Sequence, residues 1–130
     1  MSFAMLRVSS DEPGWDPEVF LRDHFPGAVA PWWRAGDVHA GRTRGHAGFN
    51  LRIAASNVVD DMVAWVREHG PVLEALQSDH AHLEADIGLG VGTDNQFEAT
   101  VVFTSEQLRV LVESGIDVKI SAYPVASEPK

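Results

Sequence analysis

The chain has 130 residues, 45% of them hydrophobic and 22% charged, enough to bury one core and the size of one ordinary domain. Its net charge of −9 disfavours nucleic acid and anionic membrane as partners and suits a basic protein or a cationic ligand. With no cysteine, disulfides, thiolate catalysis and cysteine-ligated zinc are excluded.

The first element expected is a strand over Phe3–Ser10, where Leu6 and Val8 flank Arg7. "DEPGWDP" breaks it. Asp16 suits an N-cap and Pro17 the first helical position, and Trp15 and Phe20 are spaced as a hydrophobic staple. This short helix is expected to stop at Pro26–Gly27. "FNLRIAAS" reads as a second strand with Phe49, Leu51 and Ile53 on one face. Asn57 is placed to cap the helix that follows, whose apolar stripe is Val59, Met62, Val63, Val66 and Leu73. "HGP", His69 to Pro71, predicts a break in it before helical residues end near Ser78.

"HLEADIGLGVG" alternates, with Leu83, Ala85, Ile87, Leu89 and Val91 on one face. "TDNQ" and "FEATVVFT" then predict a hairpin back over 97–104. Thr104 with Gln107 matches a capping box, and the helix after it is expected to bury Leu108, Leu111 and Val112. "IDVKISAY" is the last strand. Residues 1–123 therefore read as one domain and 124–130 as a polar tail.

This order predicts an α+β two-layer sandwich: a mostly antiparallel sheet with helices on one face, ferredoxin-like βαββαβ with an added N-terminal β-α. The stretch from Leu6 to Pro26 aligns without gaps on Leu51 to Pro71, as expected if the β-α unit is repeated. The polar strand positions, Arg7, Arg52, Glu84, Asp86, Glu98, Asp117 and Lys119, predict an open face turned to water or a partner.

Candidate chemistry is sparse. His80 and His82, two apart with Glu84 and Asp86 beyond, are the weak candidates for a divalent metal, because imidazole and carboxylate suit zinc. Glu84 and Asp86 fit the charged outer face equally well, so no metal or other cofactor is expected. "GLGVG" lies inside a strand and is not a phosphate loop; its alternate glycines clear one face for something bulky, most simply a tryptophan of this chain. No nucleophile elbow or triad spacing singles out a catalytic group. Asp60–Asp61 suits the positive end of a helix dipole.

"PWWRAGDVHAGRTRGHAGFN", Pro31 to Asn50, is different. From Ala28 to Ala54 there are four arginines and one acid, a local charge of +3 in a chain of −9. Trp32, Trp33, Arg34, His39, Arg42, Arg44 and His46 are the candidate binding residues, for a partner or an anion. Arginine suits bidentate pairing with carboxylate or phosphate and stacking on aromatic rings. "GRTRG" could form an anion-binding nest with two guanidinium groups.

"DPEVFLRDHFPG", "WWRAGD", "FNLRIAAS" and "VVFTSEQLRVLVESGIDVKISAY" resemble, over nearly the whole chain, the bacterial domain of unknown function 4279 family. The pattern W-R-x-G-D at Trp33, Arg34, Gly36 and Asp37 carries the likeness most specifically, and Phe49 stands where similar proteins tend to carry tryptophan. The resemblance implies a small α+β domain and brings no activity, cofactor or catalytic residue.

The function expected is non-catalytic protein binding, of an immunity-type or regulatory kind. The alternatives are a sensor or enzyme for a small anion such as a nucleotide or phosphate, and a structural domain that dimerises through its open sheet face. "MSFAMLRVSS" shows no basic region followed by a long apolar run, so a cytoplasmic setting is expected.

Overall fold

A computed structural model describes residues 2–54, 56–91 and 100–124. The chain forms a five-stranded sheet in the order β2-β5-β1-β6-β7, with helices on one face, and a separate two-stranded hairpin, β3-β4. The α+β two-layer architecture is the one the sequence predicts.

Strand β1 (Ser2–Ser10) is central and buries Ala4, Leu6, Val8 and Ser10 on the helix side. Helix α1 (Pro17–His24) starts where predicted: the Asp16 carboxylate accepts from the Glu18 N–H at 3.0 Å, and Trp15 packs on Phe20 with ring centroids 6.2 Å apart. The Trp/Arg segment then supplies short β2 (Trp32–Trp33) and the hairpin β3 (Val38–His39) and β4 (Arg42–Thr43). Ala40 and Gly41 at its tip both have positive φ, as a two-residue hairpin turn requires.

Strand β5 (Ala47–Ala54) lies antiparallel to β1, with Leu51 opposite Leu6. These are equivalent positions of the near-repeat, so its two strands are related by a local two-fold about that pair. Helices α2 (Val58–Glu68) and α3 (Gly70–Ser78) are separated at His69, as "HGP" predicts, and the predicted apolar stripe is buried. Asn57 precedes α2 but makes no side-chain cap bond, contrary to expectation. Both acids lie in the first turn of α2, and Asp60 accepts from Gln107 Nε2 at 2.8 Å, which ties α2 to α4 (Ser105–Glu113).

The ferredoxin-like strand order does not form. Strand β6 (His82–Val91) is antiparallel to β1 and parallel to β7 (Ile116–Pro124). Parallel neighbours need a crossover connection, and α4 provides it. The predicted return strand over 97–104 is absent at 100–104, and its other residues fall outside those described. The Thr104–Gln107 capping box is present. Of the three side chains α4 was expected to bury, only Leu111 is covered; Leu108 and Val112 are 41% and 70% exposed. An edge strand gives α4 too little sheet to lie on. Strand β7 runs to Pro124, one residue into the expected tail, and 125–130 fall outside the described residues.

The core centres on Phe49, which is fully buried and packs against both Trp15 and Phe20, at 6.3 and 6.0 Å, in a three-ring cluster. Phe49→Ala is expected to cost about 3–5 kcal/mol, the usual range for emptying an aromatic site in a core. Urea unfolding followed by far-UV circular dichroism measures it; a loss below about 1 kcal/mol would mean that this aromatic stack does not hold the sheet to α1.

Candidate functional site

The residues that converge lie on the open face of the sheet. Trp33 of β2 is registered against Gly48 of β5, and its ring occupies the space beside that glycine. A Cβ at position 48 would collide with the Val8 carbonyl and sit 2.7 Å from Trp33 Cζ2, so only glycine admits the indole. The Arg44 guanidinium lies over the Trp33 ring, 4.5 Å from its centroid.

The W-R-x-G-D segment holds Arg44 in place. The Asp37 carboxylate accepts from the Arg34 N–H at 2.8 Å and closes a turn in which Gly36 has φ 92°. Arg44 N–H then donates to Asp37 O at 2.7 Å, and Gly36 N–H donates to Arg44 O at 2.8 Å. The motif is a clamp that fixes Arg44 over Trp33.

Between this stack and the centre of the sheet is a cleft of about 310 Å³, lined by Arg7, Trp33, Arg44, His46, Asn50, His82 and Glu84 among others. Arg7, which lines it, is held by an ion pair beside the cleft: Arg7 Nε donates to Asp86 Oδ2 at 2.7 Å, with Asp86 1% exposed. The expectation that Asp86 belongs to the solvated outer face is therefore corrected, because the Arg7 side chain lies across it. Trp33 Nε1, Arg44 Nε and Asn50 Oδ1 are buried and have no hydrogen-bond partner in the protein, and neither has Asp86 Oδ1. Two donors and an acceptor thus stand unsatisfied in residues that line one cleft. Buried polar atoms in proteins are almost always paired, with protein, water or ligand.

The other predicted residues divide. Arg34 is committed to structure: it lies 4.6 Å over Trp32 and bonds Asp16 and Glu18 at 3.1 and 3.4 Å, which fastens β2 to α1. Arg42 and His39 face each other on the exposed hairpin and do not line the cleft. The two guanidiniums of "GRTRG" therefore part company instead of forming one nest.

His80 has φ 55° in the turn before β6, so the spacing of two does not align it with His82 along a strand. His80 Nδ1 lies 3.3 Å from Glu12, and His82 Nε2 lies 3.6 Å from Asp117. His46 joins both around a shallow depression, but no group of three or more His, Asp or Glu among the described residues is arranged to hold a metal ion. The glycine-lined part of β6 is also occupied: a Cβ on Gly88 would collide with the Phe3 ring, which in turn packs against Tyr123 at 5.8 Å. Phenylalanine, not tryptophan, fills that space.

Asn50 and the Arg7–Asp86 pair escaped sequence reasoning. Arg7 and Asp86 are 79 residues apart and not directly opposite in the register, since Arg7 faces Glu84. Only the alternation that put Arg7 and Asp86 on the polar face hinted at the pair, and Asn50 was not singled out.

Two outcomes follow from these contacts. Asp86→Ala leaves Arg7 without its partner and is expected to destabilise by somewhat less than the ~3–5 kcal/mol of a fully buried broken pair, because Arg7 reaches solvent. Chemical denaturation reads the loss. The hydrogen bond from Arg34, aided by the Glu18 N–H, holds the Asp16 carboxyl below its ordinary value of 3.8. A depressed carboxyl stabilises the folded state above the unfolded value and loses that contribution as pH falls through the folded one. Melting temperatures on the acid side of 3.8 should therefore fall less steeply in Asp16→Asn than in the parent; equal slopes would remove this anchor from the account of α1.

No helix among the described residues is long and apolar enough to cross a membrane. No known protein family, curated protein or solved structure matches this chain.

Proposed function

We propose that the protein is a binding domain and that the cleft on its open sheet face receives a small ligand bearing an anionic group. The observation that carries this reading is the set of buried, unpartnered atoms in the residues lining the cleft: donors on Trp33 and Arg44 and an acceptor on Asn50. A carboxylate or phosphate in the cleft pairs with the Arg44 guanidinium, which the Asp37 turn holds over Trp33, and a shift of the covering side chains opens the buried donors to it. A hydrogen-bond donor elsewhere on the ligand satisfies Asn50 and Glu84. Arg7 is paired with Asp86 and Glu84 also lines the cleft, so it takes a single anionic group better than a polyanion, in keeping with a total charge of −9. Nucleoside monophosphates and inorganic phosphate are the first ligands to try.

A second reading keeps the protein partner, of an immunity-type or regulatory kind. It is favoured by the β3-β4 hairpin, which displays Val38 at 70% exposure together with His39 and Arg42. In that case the partner inserts an acidic side chain into the same cleft and packs on the hairpin. Tryptophan and arginine are residues that such interfaces favour.

The experiment is a thermal-shift and tryptophan-fluorescence titration with phosphate, nucleoside monophosphates and small carboxylates. A true ligand at one hundred times its Kd adds about 2.7 kcal/mol to stability. Arg44→Ala and Asn50→Leu are expected to abolish the shift, and Arg42→Ala to leave it unchanged. If no member of the panel moves either signal, the small-ligand reading fails. If Arg42→Ala alone weakens the effect of a purified partner protein, the hairpin carries recognition.

A further inference from the structure

The outer edge of β7 has no neighbouring strand among the described residues. A bare edge exposes a row of backbone donors and acceptors, and proteins commonly blunt it with charge or proline. Here the edge is patterned. Asp117 and Lys119 are exposed on the open face of the sheet. Val118 and Ile120, 38% and 51% exposed, are in register with the buried Ala85 and Ile87 and so belong to the helix side. Helix α4, packed on β7, adds the exposed Leu108 and Val112.

We infer that this edge is self-complementary and pairs with β7 of a second copy of the chain. A two-fold axis perpendicular to the sheet keeps the helices of both copies on one side and pairs the strands antiparallel. With the axis through Val118, Asp117 of each copy faces Lys119 of the other on the open face. On the helix side Val118 meets Val118, and Ile116 meets Ile120. Moving the axis to Lys119 sets lysine against lysine, and moving it to Asp117 sets aspartate against aspartate. Register through Val118 is the one that matches both charges and closes the exposed apolar side chains together. The sheet becomes continuous through ten strands, and the two clefts stay open on one face. Dimerisation therefore uses the edge of the sheet and not its open face. The inference is independent of what the cleft binds.

The test is the mass of the full chain by sedimentation over a wide range of micromolar concentrations. The parent is expected to pass from monomer to dimer. Lys119→Glu sets acids against acids, and Asp117→Lys sets lysines against lysines; each alone is expected to weaken self-association roughly tenfold. An equimolar mixture of the two variants matches every charge again and is expected to regain parental association as a heterodimer. Circular dichroism of each variant confirms the fold, and the mixture guards against a loss that merely reflects misfolding. A parent that stays monomeric throughout overturns the inference. So does a dimer whose dissociation constant is the same in the parent, both variants and the mixture.

Discussion

Helices cover only one face of this sheet, so every charge on the other face must be satisfied by its neighbours within the sheet or by solvent. The Arg7–Asp86 contact is where that constraint acts most strongly. Asp86 is on the polar side of β6, yet it is 1% exposed because β1, the central strand, lays Arg7 over it at 2.7 Å. A carboxylate at that depth without a partner would cost several kcal/mol. With Arg7 turned toward Asp86, the space beside Glu84 and Asn50 is left free of side chains and becomes the inner end of the cleft. Core and site are therefore linked through one strand: Leu6 and Val8 fix β1 against the helices, and that fixes Arg7.

Local patterns in the sequence were sufficient wherever a local cause decides structure. The Asp16–Pro17 start, the Trp15–Phe20 staple, the "HGP" break and the Thr104–Gln107 box each depend on residues within five positions, and each is formed. Strand pairing depends on residues far apart. Leu83, Ala85 and Ile87 would alternate in the same way in a hairpin arm or in a central strand, so the pattern of β6 could not tell that its neighbours are β1 and β7. The same limit explains α4. Its apolar residues are spaced for burial, but how many are covered depends on how far the sheet extends beneath the helix, and β7 is the last strand.

The cationic segment shows a sharper version of this limit. Arg34, Arg42 and Arg44 look alike in the sequence and have three different surroundings. Arg34 is neutralised by two carboxylates of the α1 terminus, Arg42 projects from a hairpin, and Arg44 stacks on Trp33 with its Nε buried and unpaired. The three share one basic segment, which meets the acidic α1 terminus through Arg34 and covers an indole with Arg44. Clustering could not rank the three, since the ranking follows from the Trp33–Gly48 register and the Asp37 turn.

The unpaired atoms around Trp33 and Asn50 also bear on why the site is built as it is. A sheet face free to optimise stability would replace Asn50 with an apolar residue of similar size and would not bury Arg44 Nε unpaired against an aromatic ring. Leaving a buried donor or acceptor unsatisfied costs about 1–3 kcal/mol, so a chain that keeps two such donors and one such acceptor in residues around one cleft forgoes stability there. The cost is recovered when something fills the cleft and pairs with them, and that recovered energy is available as binding energy. It is also selective, because an occupant that lacks either the anionic group or the donor leaves part of the cost in place. On this argument the cleft distinguishes ligands by which of its atoms they leave unpaired, more than by how much surface they bury.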